Sequence, residues 1–315
     1  MTAAVLAVDL GATRMRAAAV SAAGVLRGRA ERRTPEGSDP ESVVAALVDL
    51  LRSVRERAPE AEAVCVAAAG LVAGDEGRIV VAPNIPGFRD IPLAALLTER
   101  LGLPAFVEND ASAAALGEFR FGAGRGVRHL LHATLGTGIG GGIVIDGRLY
   151  RGAKGFAGEI GHIILDPSGP RCGCGARGCL EALASGTAFA QRARRLVESG
   201  KAPILAELTA GREPTGEDLL AAARAGDLAA EAEIRNGGHM LGLGLASLLN
   251  VLNPDVLTLS GGLLAMGELL LEPMRRAMRA LPYGPAAGTA IRLTELGDDA
   301  GLLGAAAVAF ERLEG

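Results

Sequence analysis

Two stretches of this chain decide its fold: LAVDLGATRMRAAAV at Leu6–Val20 and LHATLGTGIGGGIVI at Leu131–Ile145. Each stretch contains an apolar run, then Leu-Gly, a short loop of Thr and small residues, and a second apolar run. This order predicts a strand, a glycine loop and a return strand. Because the same unit occurs in both halves of the chain, the sequence predicts an internal duplication and two related α/β lobes, each with a phosphate-facing loop.

The rest of the chain alternates between strand-like and helix-like patterns, as α/β proteins do. Strands are predicted at Ala3–Asp9, Met15–Val20, Val25–Arg33, Val64–Ala68, Pro104–Val107 and Val256–Leu259. Helices are predicted at Pro40–Arg57, Leu93–Leu101, Ala111–Phe121 and Gly301–Leu313, and a loop at Gly70–Asn84. A length of 315 residues exceeds what one core usually holds, which also favours two lobes.

The charge balance and the apolar pattern exclude several classes of protein. Acidic residues outnumber basic ones, 36 to 32, and nucleic-acid binding proteins usually carry a basic excess. The N-terminus has no basic segment followed by a long apolar segment, and no run of about 18 uncharged apolar residues occurs. We therefore expect a cytoplasmic protein with no nucleic-acid partner and no membrane partner.

The glycine loop of the second half, Gly136–Gly141, matches G-x-G-x-x-G. A dinucleotide site requires a helix after these glycines, whereas Ile143–Gly147 resembles a strand and a turn. No G-x-x-x-x-G-K-[ST] motif occurs, so a Walker P-loop is also excluded. Two interpretations remain: a hairpin whose backbone N–H groups and Thr137 hydroxyl face phosphate oxygens, or a plain glycine-rich hairpin.

The glycine loop of the first half has a carboxylate, because it follows Asp9 at the end of a buried strand. A buried carboxylate needs a partner, and a hydrated Mg²⁺ ion beside phosphates would provide one. The alternative is that Asp9 caps its own turn. Two duplicated loops, one of them acidic, favour phosphate binding.

Asn109 and Asp110 lie between a predicted strand and a predicted helix. Asp110 as a plain helix cap is one interpretation. The other follows from the position, because α/β folds bind ligands at the carboxyl ends of their strands. There Asp110 would accept a proton from a sugar hydroxyl that attacks the γ-phosphate of ATP, and Asn109 would hydrogen-bond neighbouring hydroxyls.

Three of the four cysteines lie within eight positions of each other, and a histidine precedes them. The predicted ligands of a closed tetrahedral zinc site are His162, Cys172, Cys174 and Cys179. Such a site would be structural, because no coordination position stays open. Free or bonded thiols are the alternative, although disulfides are rare in the cytosol.

Two carboxylates flank this cluster, Glu159 before it and Glu181 after it. An ordered zinc loop would place both against sugar hydroxyls, whereas the alternative for each is a solvated surface charge. His162 would bind the metal through one ring nitrogen and contact the sugar through the other.

Five motifs together resemble the ROK family of bacterial sugar kinases, repressors and open reading frames, over nearly the whole chain. They are DLGAT (Asp9–Thr13), ENDASAAALGE (Glu108–Glu118), LGTGIGGGIV (Leu135–Val144), GEIGH (Gly158–His162) and CGCGARGCLE (Cys172–Glu181). The resemblance is strongest to the glucokinase branch. It implies the actin-like ATPase (ribonuclease H-like) fold, in which two lobes enclose a cleft. We expect residues 1–118 with the helix 301–315 to form the smaller lobe, and 119–300 to form the larger lobe with the zinc loop.

The resemblance also implies a role for each candidate residue. Asp110 matches the catalytic base, and the other matches to sugar contacts are Asn109, Glu159, His162 and Glu181. The matches to nucleotide and phosphate contacts are Asp9, Gly11, Thr13, Thr137 and Gly138, with Gly261 and Gly262 on the adenosine side. The implied cofactors are ATP, Mg²⁺ and a structural Zn²⁺, and the implied assembly is a homodimer or homotetramer.

The expected reaction is transfer of the γ-phosphate of ATP to the hydroxyl at carbon six of glucose. Other substrates of the same family remain open: N-acetylmannosamine, N-acetylglucosamine, fructose or allose, and polyphosphate as donor. A sugar-responsive repressor is a further alternative, although such proteins carry a DNA-binding domain before the first glycine loop, which here begins at Asp9. The chain departs from the family pattern at Ala12, Arg14 and Ser112, where the family often has Gly, Lys and Asn.

Overall fold

The computed structural model describes residues 3–37, 39–280 and 283–314, and the architecture is mixed α/β. The strands are β1 (Ala4–Leu10), β2 (Arg14–Ser21), β3 (Leu26–Arg33), β4 (Ala61–Ala68), β5 (Leu71–Ala73), β6 (Arg78–Val81), β7 (Arg89–Ile91), β8 (Ala105–Asn109), β9 (Leu130–Leu135), β10 (Ile139–Ile145), β11 (Arg148–Leu149), β12 (Val256–Ser260) and β13 (Ala290–Leu293). The helices are α1 (Pro40–Arg55), α2 (Leu93–Leu101), α3 (Asp110–Phe121), α4 (Leu180–Ala184), α5 (Gly186–Glu198), α6 (Pro203–Thr209), α7 (Gly216–Arg224), α8 (Leu228–Leu252), α9 (Glu268–Ala280) and α10 (Ala300–Glu314).

The first five-stranded sheet has the order β3-β2-β1-β4-β8. β1, β4 and β8 are parallel, whereas β2 is antiparallel to both of its neighbours. Parallel strands end at the same edge of a sheet, so the loop after β1 and the turn after β8 share that edge. Asp9 and Glu108 are both paired with Ala67 of β4. With neighbouring strands about 4.8 Å apart, the backbones of Asp9 and Glu108 lie about 10 Å apart.

The second five-stranded sheet has the order β11-β10-β9-β12-β13. Its strands β9 and β10 flank the second glycine loop just as β1 and β2 flank the first, so both repeats have the predicted strand–loop–strand structure. The predicted loop 70–84 was wrong in part, because it contains β5 and β6, which form a three-stranded sheet with β7. These strands have only three or four residues, which is too short to show an alternating pattern.

The chain divides into two compact units. The first unit comprises the chain up to His132, residues Gly142–Gly158 and the chain from Arg292 onward, and the second comprises Ala133–Gly141 and Glu159–Ile291. The predicted lobe boundaries, after residue 118 and residue 300, stay a prediction.

The core of the first unit forms where α1 packs against the first sheet. Asp39 begins this helix, because its carboxylate accepts hydrogen bonds from two amides of the first turn and Pro40 follows it. The predicted apolar face is confirmed, with Val44, Leu47, Val48 and Leu51 all buried. Such a face supplies most of the free energy that holds an amphipathic helix in place.

α10 also belongs to the first unit, where it contacts α3, β1 and β4. The closest approach to α3 requires Gly304, because a Cβ atom there would lie 2.5 Å from the carbonyl oxygen of Ala113. Close packing of this kind fixes α3 along its length. The orientation of the helix that begins with Asp110 therefore depends on the last helix of the chain.

Candidate active site

The turn from β8 into α3 is held by the side chain of Asn109. Its Oδ1 accepts a hydrogen bond from the Ser112 amide at 3.0 Å, which makes Asn109 the N-cap of α3. Its Nδ2 donates to the carbonyl oxygen of Gly70 at 3.0 Å and to Asp110 Oδ1 at 3.2 Å. The interpretation of Asp110 as the cap was therefore wrong.

Asp110 is the first residue of α3 and is half-buried. Its Oδ1 also accepts a hydrogen bond from the Ala111 amide at 2.9 Å. The N-terminus of a helix is the end that favours a negative charge. Two donors and the helix end thus fix a carboxylate at the carboxyl edge of the first sheet, where α/β folds place ligands.

The first glycine loop is closed on itself and tied to a neighbouring residue. The Gly11 amide donates to the carbonyl oxygen of Arg14 at 3.0 Å. Thr34, which is buried, donates its hydroxyl to the Gly11 carbonyl oxygen at 2.7 Å and its amide to the Thr13 carbonyl oxygen at 3.1 Å. Sequence reasoning missed Thr34, which comes one residue after β3 and belongs to no motif.

Asp9 has a protein partner, which corrects the argument for a cation beside it. Arg16 Nη2 lies 2.5 Å from Asp9 Oδ2, and Arg16 Nη1 donates to the carbonyl oxygen of Asp298 at 2.9 Å. Neither an unpaired carboxylate nor a self-capped turn describes Asp9. Its role in nucleotide binding stays a prediction.

The second glycine loop is clamped to the start of α5 within the second unit. The Gly186 amide donates to the Gly136 carbonyl oxygen at 2.8 Å. Thr187 donates both its amide, at 3.1 Å, and its hydroxyl, at 2.9 Å, to the Thr137 carbonyl oxygen. The loop itself is closed by a 3.0 Å bond from the Gly136 amide to the Gly138 carbonyl oxygen. Because β10 rather than a helix follows, the rejection of a dinucleotide fingerprint is confirmed.

Glu181 connects this loop to the cysteine cluster. Its Oε2 accepts a hydrogen bond from the Ile139 amide at 2.9 Å, and its Oε1 lies 3.8 Å from Cys172 Sγ. Glu181 belongs to α4, the short helix that starts immediately after Cys179. The interpretation of Glu181 as a solvated surface charge was therefore wrong, whereas its contact with a sugar stays a prediction.

The cysteine cluster has the geometry of a tetrahedral metal site. The possible ligand atoms of His162, Cys172, Cys174 and Cys179 all lie within 4.8 Å of one another. Cys174 Sγ and Cys179 Sγ are 3.7 Å apart, as are Cys172 Sγ and His162 Nδ1. Zinc–sulfur bonds of about 2.3 Å at tetrahedral angles place two sulfurs about 3.8 Å apart. The residues present therefore fit zinc.

The second ring nitrogen of His162 faces a carboxylate. Nε2 of His162 lies 3.9 Å from Glu159 Oε2, so a metal on Nδ1 would leave Nε2 directed towards Glu159. Burial raises the pKa of the Glu159 carboxyl. A carboxylate beside a metal-binding histidine orients the imidazole ring.

Gly261 and Gly262 lie beside the second glycine loop. Gly261 has φ of 100°, and a Cβ atom on it would lie 2.2 Å from the carbonyl oxygen of Leu135, so only glycine fits. Gly262 begins a short 3₁₀ helix after β12. Two of the predicted nucleotide-binding elements thus meet within the second unit.

The candidate residues fall into two groups. In the first unit, one sheet edge brings together Asp9, Gly11, Thr13, Asn109 and Asp110. The second unit contains Thr137, Gly138, Glu159, His162, Cys172, Cys174, Cys179, Glu181, Gly261 and Gly262. Across the described parts of the chain, none of the helices has the length and apolar character needed to span a membrane.

Comparison with known proteins finds relatives that match nearly the whole chain. Residues 5–312 match the ROK family. A glucokinase from Thermotoga maritima is 35% identical over 98% of each chain. The crystal structure of a ROK hexokinase from Thermus thermophilus is 36% identical, covers 99% of each chain and gives a TM-score of 0.85.

A further solved structure contains ligands. It is a ROK family glucokinase from Streptomyces griseus in complex with glucose and AMPPNP, which is 37% identical, covers 98% of this chain and 99% of its own, and gives a TM-score of 0.81. Xylose repressors also match, but this chain covers only 61–69% of their length.

The cluster geometry predicts about one bound zinc ion per chain. Cys179→Ala should lose most of this zinc on dialysis, because three ligands hold the ion less tightly than four. Cys65→Ala should retain it, since Cys65 lies outside the cluster and burial raises the pKa of its thiol. Elemental analysis of the purified proteins measures the ratio. A wild-type chain without zinc, or Cys179→Ala with a full equivalent, would contradict the assignment.

Proposed function

Since this chain belongs to the ROK family and is a sugar kinase with the actin-like ATPase fold, we propose that it phosphorylates glucose with ATP. The product would be glucose 6-phosphate. The observation that carries the proposal is the half-buried carboxylate of Asp110, fixed at the start of α3 by the Asn109 side chain and the Ala111 amide. The near-full-length similarity to glucokinases supports the choice of sugar.

The proposed reaction is in-line phosphoryl transfer with Asp110 as general base. The hydroxyl at carbon six of glucose attacks the γ-phosphate while the Asp110 carboxylate accepts its proton. Phosphoryl transfer depends mainly on the positions of the two reactants and on neutralisation of charge. A base that is held by several hydrogen bonds meets the first requirement, because it does not have to be ordered during the reaction.

The two glycine loops are assigned to the phosphates of ATP. Both present backbone and a threonine side chain, Thr13 in the first and Thr137 in the second, and both are closed by internal hydrogen bonds. Backbone N–H groups of a closed loop can bind phosphate oxygens. Mg²⁺ would enter as the ATP complex with its own waters. Asp9 lies on the same sheet edge as Asp110 and would meet one of these waters while it keeps its ion pair with Arg16.

A zinc ion with four protein ligands would be structural rather than catalytic. Cys179 is the last of its ligands in the chain. Glu181 of α4 and Thr187 follow it, and both residues bind the second glycine loop. An ordered cluster would therefore stabilise both this loop and the carboxylates of Glu159 and Glu181. We assign sugar contacts to Asn109, Asp110, Glu159, His162 and Glu181.

The choice of glucose is tested by an ADP-release assay over glucose, mannose, fructose, allose, N-acetylglucosamine and N-acetylmannosamine. Glucose should give the highest kcat/KM. Another sugar with a higher kcat/KM would replace glucose as substrate, and no turnover of any sugar would contradict the kinase proposal itself. Repeating the assay with polyphosphate in place of ATP, and detecting the sugar phosphate directly, tests the donor.

The role of Asp110 is tested by Asp110→Asn. The substitution keeps the size and the hydrogen-bonding shape of the side chain but removes the basic carboxylate, so kcat should fall by about 10²- to 10⁴-fold. KM for glucose should change little, because the amide can still contact a hydroxyl. Asp49→Asn, at an exposed position of α1, is the matched control and should keep wild-type kcat. Near-normal turnover by Asp110→Asn would refute the assignment.

A further inference from the structure

A partly buried ionic network lies directly behind the Asn109–Asp110 turn. Glu108 is 1% exposed, and its Oε2 accepts a hydrogen bond from Arg151 Nε at 2.7 Å. Arg151 Nη2 donates to Glu311 Oε2 at 2.7 Å. Glu311 Oε1 in turn accepts the Leu149 amide at 2.9 Å. The network joins β8, α10 and the segment that follows β11, and all three belong to the first unit.

Burying these charges is costly, so the network calls for an explanation beyond stability. A buried ion pair often stabilises a fold no better than apolar residues of the same volume. Burial raises the pKa of the Glu108 carboxyl, and Arg151 opposes that rise. What such a network does offer is a fixed geometry, since a guanidinium has donors in a rigid planar arrangement.

The geometry that Glu108 fixes is that of the next residue. Its second oxygen, Oε1, accepts the amide of Asn109 at 3.0 Å. Asn109 is the residue whose side chain caps α3 and donates to Asp110 Oδ1. A continuous series of hydrogen bonds therefore runs from Arg151 through Glu108 and Asn109 to the Asp110 carboxylate.

We propose that Glu108 and Arg151 are positioning residues for the Asp110 carboxylate, which they hold at the angle needed to accept a proton. The inference rests on the proposed function, in which Asp110 is the base. Neither residue contacts the reacting atoms in this account. They act only through the backbone and side chain of Asn109.

Glu108→Gln is the sharpest perturbation because it changes no volume. The carboxylate accepts from two donors, Arg151 Nε and the Asn109 amide, whereas the single amide oxygen of Gln can accept from only one side. The Asn109 turn or Arg151 must then shift. Displacement of a reacting group by about 1 Å can cost about a hundredfold in rate. We expect kcat to fall about 10- to 100-fold, with KM for glucose and for ATP changed less than about threefold.

The test is a double-mutant cycle with Asp110→Asn, followed by kcat and KM. If Glu108 acts through Asp110, Glu108→Gln should lower kcat strongly in the wild-type background and less than about twofold in the Asp110→Asn background. Equal losses in both backgrounds would overturn the inference. If Asp110→Asn itself keeps wild-type kcat, the proposed base is wrong, and that outcome is distinct from an additive cycle.

Two further variants separate positioning from general destabilisation. Glu118→Gln removes another buried carboxylate, at the other end of α3, where it accepts the Ala123 amide at 2.8 Å and contacts the Thr294 hydroxyl. It should lower the melting temperature but keep kcat. Arg151→Lys keeps the charge but not the planar arrangement of donors, so it should recover little of the kcat that Arg151→Met loses. A kcat loss by Glu118→Gln equal to that of Glu108→Gln, or full recovery of kcat by Arg151→Lys, would overturn the inference.

Discussion

The proposed chemistry depends on the hydrogen bonds that the side chain of Asn109 makes. One amide group caps α3, binds the loop before β5 through the Gly70 carbonyl oxygen, and holds the carboxylate of Asp110. All three bonds fix the same turn. Behind the turn, the Glu108 carboxylate accepts a hydrogen bond from the backbone amide of Asn109, and α10 packs closely on α3. The Asp110 carboxylate is thus fixed by the sheet, by the loop beside it and by the last helix of the chain.

The two glycine loops arise from the same strand–loop–strand unit but are held in different ways. Thr34 binds two carbonyl oxygens of the first loop, and the Asp9–Arg16 pair spans the hairpin beneath it. The second loop is held by Thr187 and Glu181. These two residues lie within eight residues after Cys179, so a structural metal would stabilise the second glycine loop as well as the proposed sugar contacts.

Local patterns were sufficient to predict the repeated hairpin, α1 and the strand-to-helix junction at Asp110, because each depends on a periodicity or on a cap within a few residues. The partner of Asp9 could also have been predicted from the sequence, since antiparallel pairing of β1 with β2 places Arg16 opposite Asp9. The role of Arg151 could not be predicted from the sequence, because Arg151 lies 43 residues from Glu108 and 160 from Glu311, and no local signal connects them. The short strands β5 to β7 were missed because their pairing, rather than their own sequence, makes them strands.

In the proposed reaction, the Asp110 carboxylate meets the hydroxyl that receives the phosphate. A crystal structure of this protein with glucose and a non-hydrolysable ATP analogue measures that contact directly. We predict a carboxylate oxygen of Asp110 about 2.6–3.2 Å from the hydroxyl at carbon six, with the Asn109 cap intact. A sugar whose carbon-six hydroxyl faces another side chain, with Asp110 directed away from it, would contradict the account.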